Sequence, residues 1–292
     1  MHRIRSWQLF ATCVLVWGTT WYAITFQLPY TSPEVGVALR FGIAGAVVLG
    51  VCAARRLPLS FDARQHAMLA LQGVFMYGVS YVCVYYAERH VVSGLVAIGY
   101  SASPIITGLG ARALFGLEVT ARFLLGGVFG LAGVALMFWP EFGRDSGPGD
   151  TMLGVLFTVS AVLLSAVGSL TAVRNRAHRL PFWPSLGYGM LYGAAAAALV
   201  AVMQGHSFAL PAVASWWIAL FYLALAGSVL TFACFLTLQE RIGPGPTASI
   251  GVMTPVIALA VSMAFEAFRP DALTIAGAVL AVSGNVMMLR RA

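Results

Sequence analysis

The sequence predicts an all-α membrane protein: ten transmembrane helices arranged as two inverted five-helix repeats, with the N- and C-termini cytoplasmic. Three observations carry that prediction. The first is composition. Of 292 residues, 60% are hydrophobic and 9% charged, with a mean hydropathy of +0.87, whereas a soluble domain carries about 25% charged residues. A soluble fold needs more polar surface than this chain has, and so low a charge content also excludes a disordered chain. The second observation is the placement of arginine, which supplies all 17 basic residues. The third is a set of Pro and Gly positions that recurs at an offset of 151 residues.

A spanning helix needs about 20 mainly apolar residues. Reading for such runs between Pro, Gly and charge gives spans over 7–27, 33–54, 66–88, 90–115, 120–139, 152–172, 182–204, 214–238, 246–268 and 271–289. Span 1 is full length with no A-x-A-like cleavage site after it, so it reads as an uncleaved helix. Spans 4 and 9 contain Pro104 and Pro255, each of which frees a backbone carbonyl near mid-membrane and is expected to kink its helix. Span 5 carries Gly126-x3-Gly130, a close-packing step toward another helix or another subunit. The longest connection, Pro140 to Thr151, is rich in Gly, Pro and acids. It divides the chain into repeats 1–140 and 141–292, which together make one membrane domain.

Arginine tests the count. With the N-terminal side numbered inside, that side receives Arg3, Arg5, Arg55, Arg56, Arg64, Arg112, Arg122, Arg174, Arg176, Arg179, Arg241, Arg290 and Arg291. The opposite side receives Arg89, Arg144 and Arg269, and Arg40 lies inside a span. This asymmetry is what the positive-inside rule predicts for cytoplasmic termini, and removing one span scrambles it. It also assigns the net charge of +7 to topology and not to nucleic acid. In the repeat, Pro33 matches Pro184, Gly36 matches Gly187, Gly42 matches Gly193, Pro104 matches Pro255, Gly126 matches Gly277 and Gly133 matches Gly284. Five spans per half is an odd number, so the halves enter the membrane in opposite senses, the plan of many secondary transporters.

The absence of Lys excludes a Walker-type phosphate loop and any lysine Schiff base, so no cofactor is expected. Cys13, Cys52, Cys83 and Cys234 are scattered through apolar stretches without metal-ligand or disulfide spacing, and read as small buried hydrophobes. Neither H-E-x-x-H nor G-x-S-x-G occurs, so an intramembrane enzyme lacks a visible constellation and no catalytic or metal site is assigned.

Several motifs resemble the drug/metabolite transporter superfamily, EamA family. They are Trp17-Gly-Thr-Thr-Trp21, Pro33-x6-Arg40-Phe-x2-Ala44, Ala87-Glu88, Ser103-Pro104 and its echo Thr254-Pro255. The resemblance covers nearly the whole chain and extends to the bacterial aromatic amino acid exporter branch. It implies a ten-helix exporter of amino acids or other small metabolites, with spans 1–4 and 6–9 around a central cavity and spans 5 and 10 peripheral. The related small multidrug proteins carry a proton-exchanging Glu in span 1, where this chain reads Val16-Trp17-Gly18.

The candidate substrate-binding residues are Trp17, Trp21, Arg40, Tyr77, Tyr81, Tyr100, Ser165, Ser169, Ser228 and Phe232. Arg40 is the one charge well inside a span, which marks either a substrate-carboxylate site or a structural residue that snorkels or bonds a broken-helix carbonyl. Tyr77, Tyr81 and Tyr85 are spaced four apart and share a helical face. Trp17, Tyr77, Tyr81 and Tyr100 are too deep for the interfacial belt, whereas Tyr85, Tyr86, Trp183, Trp216 and Trp217 near span ends fit it. Ser165, Ser169, Ser228, Thr231, Ser249 and Thr254 offer hydrogen bonds, although small polar residues also pack helices together. All ten acids lie in loops or within about one turn of a span end, which predicts facilitated diffusion or exchange and no proton relay. The expected partners are a small-molecule substrate and the lipid bilayer, without nucleic acid. A monomer is expected, with a homodimer the alternative.

Overall fold

The computed structural model describes residues 4–116, 118–140, 147–243, 247 and 250–289. Arg3, Arg144, Arg290, Arg291, Ser249 and the stretch 141–146 lie outside the described residues. Among those described, every regular element is helical. In chain order they are α1 (Ser6–Thr25), α2 (Pro33–Ala54), α3 (Ala63–His90), α4 (Ser93–Phe115), α5 (Ala121–Phe138), α6 (Gly147–Ala177), α7 (Phe182–Met203), α8 (Ala214–Ile242), α9 (Ile250–Phe265) and α10 (Ala272–Leu289).

Local chemistry sets several boundaries. Asp62 opens α3 with a capping box: its carboxylate accepts from the Gln65 amide at 2.7 Å while the Gln65 side chain accepts from the Asp62 amide at 2.9 Å. Such a reciprocal pair satisfies donors that the first helical turn leaves over. Thr120 caps α5 through Phe123. Gly116 closes α4 at φ 69°, a left-handed position that glycine occupies without strain.

Seven of the helices, α2 through α8, are long and apolar enough to cross a membrane. α1 falls short because Gln8, several threonines and Trp7, Trp17 and Trp21 dilute its hydropathy. The apolar stretches of α9 and α10, Met253–Phe265 and Ala272–Met288, are shorter. Outward-facing side chains such as Leu125, Val128, Leu199, Val202 and Val279 are apolar. In water they would form aggregating patches; in a bilayer they meet their solvent.

The core gathers α2, α3, α7 and α8 around Phe41, Tyr77, Tyr85, Met190, Leu223 and Phe232. Close approaches there and at the periphery are made by glycine. A Cβ on Gly73 of α3 would stand 2.1 Å from the Gly189 carbonyl oxygen of α7. At the α5–α10 seam, a Cβ on Gly126 would stand 2.4 Å from the Gly284 carbonyl oxygen. The glycine step of α5 therefore serves an intramolecular helix contact.

Two helices depart from α geometry. Val74–Val79 of α3 and Tyr222–Leu230 of α8 are wound as π-helix, with i to i+5 bonding. Ser228 and Thr231 follow that register, donating to Leu223 and Ala226 five residues back at 2.9 and 2.5 Å. α4 is interrupted by a 3-10 turn, Tyr100–Ala102, directly ahead of Pro104. Pro255 lies inside α9.

Two aromatic residues placed in the interfacial belt by their position near span ends are instead fully packed. Trp216 is 0% exposed and donates from Nε1 to Thr31 Oγ1 at 3.3 Å. Tyr85 is 1% exposed and donates to Gln27 Oε1 at 2.8 Å. Depth along a span says nothing about which side of the helix meets lipid, and both face neighbouring helices.

Candidate functional site

A cavity of about 1070 Å³, measured out to its open mouth, lies between α1, α2, α3, α4, α6, α8 and α9. Trp17, Trp21, Arg40, Tyr81, Tyr100, Ser165, Ser169 and Phe232 line it together with Pro255. Aromatic walls dominate. Trp17 meets Phe232 edge-on with ring centroids 5.1 Å apart, and Trp21 meets Tyr100 at 5.2 Å. Tyr100 of α4 and Ser165 of α6 both line the space.

Arg40 sits at the centre of the polar chemistry. It is 0% exposed and does not snorkel. Its Nε donates to Ser228 Oγ at 2.9 Å, and Nη2 reaches the Gly227 carbonyl at 3.5 Å. That carbonyl also accepts from Trp17 Nε1 at 3.2 Å. A carbonyl oxygen carries two lone pairs and can take both donors. The guanidinium lies over the rings of Tyr81 at 4.7 Å and Phe41 at 5.1 Å, so cation–π attraction replaces part of its lost hydration. Nη1 makes no hydrogen bond. Trp21 Nε1 and Thr254 Oγ1, both on the cavity wall, are likewise without partners. The apolar enclosure thus holds three unspent polar groups, one of them cationic, which is the pattern of a small-molecule pocket.

Two expected residues stand behind the wall. Ser228 orients Arg40 and does not line the cavity. Tyr77, within the π segment of α3, packs edge-on against Phe232 at 4.8 Å and beside Phe41 at 5.4 Å. The wider turn there removes it from the four-residue stripe it was expected to share with Tyr81. Pro104 follows the 3-10 turn beside the cavity, while Pro255 is on the wall itself. Thr20, Phe235 and Gln239 also line the space and went unnoticed. Phe232, Phe235 and Gln239 are spaced three and then four apart, so helical periodicity from Phe232 would have found the other two.

The two ends of the cavity differ. Toward the arginine-rich end, Phe235, Gln239, Thr107 and Ser165 are partly exposed, and Gln239 donates to Ser169 at 3.4 Å. Beyond Ile24 and Ala97 the opposite end is shut by a buried polar layer. There Ser93 of α4 donates to Glu266 Oε2 at 2.5 Å, Ser262 of α9 donates to the same oxygen, and the Gly94 amide donates to Ser262 Oγ at 3.0 Å. Beside them Tyr86 donates to Glu34 at 2.6 Å, and His206 lies 3.2 Å from the same carboxylate.

A profile described as the EamA-like transporter family matches residues 6–139 and again 152–290. The chain belongs to this family. Among proteins similar to this EamA-like chain is the uncharacterized inner membrane transporter YedA of Escherichia coli K12, 28% identical over 84% of this chain and 78% of that one. Protein PagO of Salmonella typhimurium is 24% identical over 89% and 84%, and Protein PecM of Dickeya dadantii 23% identical over 90% and 84%. One solved crystal structure superposes with a TM-score of 0.72 at 19% identity, covering 97% of this chain and 96% of its own. That likeness concerns the fold. The chain is accordingly a multi-pass membrane protein of a transporter family, with a cavity among its helices.

Proposed function

We propose that this EamA-like protein is a secondary transporter that exports small metabolites across the inner membrane by alternating access, with aromatic and other hydrophobic amino acids as its substrates. One observation carries the reading: a guanidinium with an unpartnered nitrogen, Arg40 Nη1, set in an aromatic-walled cavity closed at one end. The guanidinium suits a carboxylate, and the Trp17, Trp21, Tyr81, Tyr100 and Phe232 rings suit a flat apolar side chain. Trp21 Nε1 and Thr254 Oγ1 are placed to take a further polar group of the solute.

The reading includes ten spans in two inverted repeats with cytoplasmic termini. Its support is that the family profile matches twice, once in each half of the chain, and that both α3 and α8 carry π segments while both α4 and α9 carry proline. The arginine-rich end is then cytoplasmic and the cavity faces inward. The accompanying expectation of facilitated diffusion or exchange rested on acids lying near helix ends, and the burial of one of them bears on it below.

The test is counterflow in proteoliposomes. Labelled aromatic and branched amino acids are expected to accumulate against unlabelled internal substrate, with nucleosides and cationic drugs inert. Flux of a nucleoside or drug with every amino acid inert overturns the substrate class, and failure of every solute overturns the transporter reading.

A further inference from the structure

Glu88 lies in the last turn of α3 on the face that carries Tyr81 and Val84, four residues and about 6 Å beyond the cavity-lining Val84. It is only 8% exposed, and neither carboxylate oxygen has a hydrogen-bond donor. An ionised carboxylate stripped of water and given no donor is expensive, typically several kcal/mol, and such a group takes up a proton instead. Its neighbours sharpen the point. Glu266, at the end of α9, already holds the local donors Ser93 and Ser262, so it is the member of the pair equipped to carry charge. The charged groups acting on Glu88 are Glu266 from α9 and Arg40 from α2. Of the others nearby, Glu34 of α2 is engaged by Tyr86 and His206, His90 of α3 by Asp150 of α6, and Arg89 by the Thr31 carbonyl. Among the described residues no three His, Cys, Asp or Glu side chains converge as metal ligands, which favours a proton over a metal ion as the occupant.

We propose that Glu88 is a proton-binding site at the closed end of the cavity, thermodynamically linked to the carboxylate site at Arg40. The proton comes from water as that end closes and returns to water when it opens; no other bond changes. Arg40 is the shared element. With the cavity empty, its positive charge weakens Glu88's hold on the proton without removing it. With a substrate carboxylate on Nη1, that field is neutralised and Glu88 keeps its proton. Linkage is reciprocal, so protonated Glu88 must tighten carboxylate binding by the same factor. Occupancy of the proton site and occupancy of the substrate site are therefore coupled, which facilitated diffusion does not require. This inference rests on the proposed carboxylate-bearing substrate only in its second half.

Two measurements test it separately. Infrared difference spectra of the full chain in nanodiscs at neutral pH are expected to show a protonated-carboxyl band that shifts in deuterated water, disappears in Glu88→Gln and persists in Glu240→Gln. Absence of the band from the parent, or its survival in Glu88→Gln, overturns the proton site whatever the substrate. In counterflow of labelled L-phenylalanine, the half-saturating concentration is expected to fall about tenfold on going from about pH 8 to about pH 6. Glu88→Gln, which imitates the protonated form, is expected to bind tightly at both. An unchanged pH slope in Glu88→Gln overturns the linkage. If L-phenylalanine does not move at all while the infrared band behaves as expected, the substrate reading fails and the proton site stands.

Discussion

Arg40 shows how one side chain serves two demands. Nε and Nη2 are committed to Ser228 and Gly227, and Nη1 is left over. Arg40→Ala is therefore expected to weaken binding of L-phenylalanine at least about tenfold, the scale of a hydrogen bond to a charged group. It should leave the binding of phenethylamine, which lacks the carboxylate, nearly unchanged. Ligand-induced thermal stabilisation of the purified variant measures both. If Arg40→Ala only lowers folded yield and still prefers the carboxylate, its role is structural. Trp17→Phe keeps an edge-on ring contact with Phe232 but loses the bond to Gly227, and is expected to lower thermal stability by about 1 kcal/mol. The sequence marked Arg40 by its depth and by the Pro33-x6-Arg40 motif. It named Glu88 only within the Ala87-Glu88 motif and not as a buried acid, because position near a helix end does not say whether the neighbours shut water out, and here Ser262 and Glu266 arrive from a helix far along the chain.

At the level of helices, hydropathy and punctuation made α2 through α8 legible, since a bilayer demands long apolar runs. The π segments were not legible. The one in α3 lies where Gly73 and Gly78 approach Gly189 and Gly193 of α7 too closely for any side chain, a contact between helices that one helix's sequence does not announce. The wider turn is what put Tyr77 behind the wall. The α5–α10 seam depends on the same property. Gly284→Ala would place a methyl 2.4 Å from the Gly126 carbonyl oxygen. Overpacking of this kind typically costs about 1–3 kcal/mol, so the variant is expected to melt several degrees lower in detergent with little change in the cavity's ligand preference.

For the molecule as a whole, access is one-sided. Ser169 lies beside partly exposed Gln239 near the arginine-rich end, and Ser262 is 0% exposed at the other. In a background lacking the four native cysteines, Ser169→Cys is expected to react with a membrane-impermeant maleimide in inverted vesicles. Ser262→Cys is expected to stay unlabelled in both vesicle orientations. Labelling of Ser262→Cys from outside, with Ser169→Cys protected, reverses the assigned state.

The wide turns in α3 and α8 have a geometric consequence. A π turn accommodates one more residue than the α turn it replaces, and one residue is about 100° of helical rotation. Were that extra residue to migrate along α3, every side chain it passed would swivel about the helix axis while both ends of the helix stayed anchored. Tyr81 follows the turn by two residues, so such a peristaltic step would sweep its ring out of the lumen and off the Arg40 guanidinium. A wall able to rearrange in this way needs no sliding of whole helices through lipid.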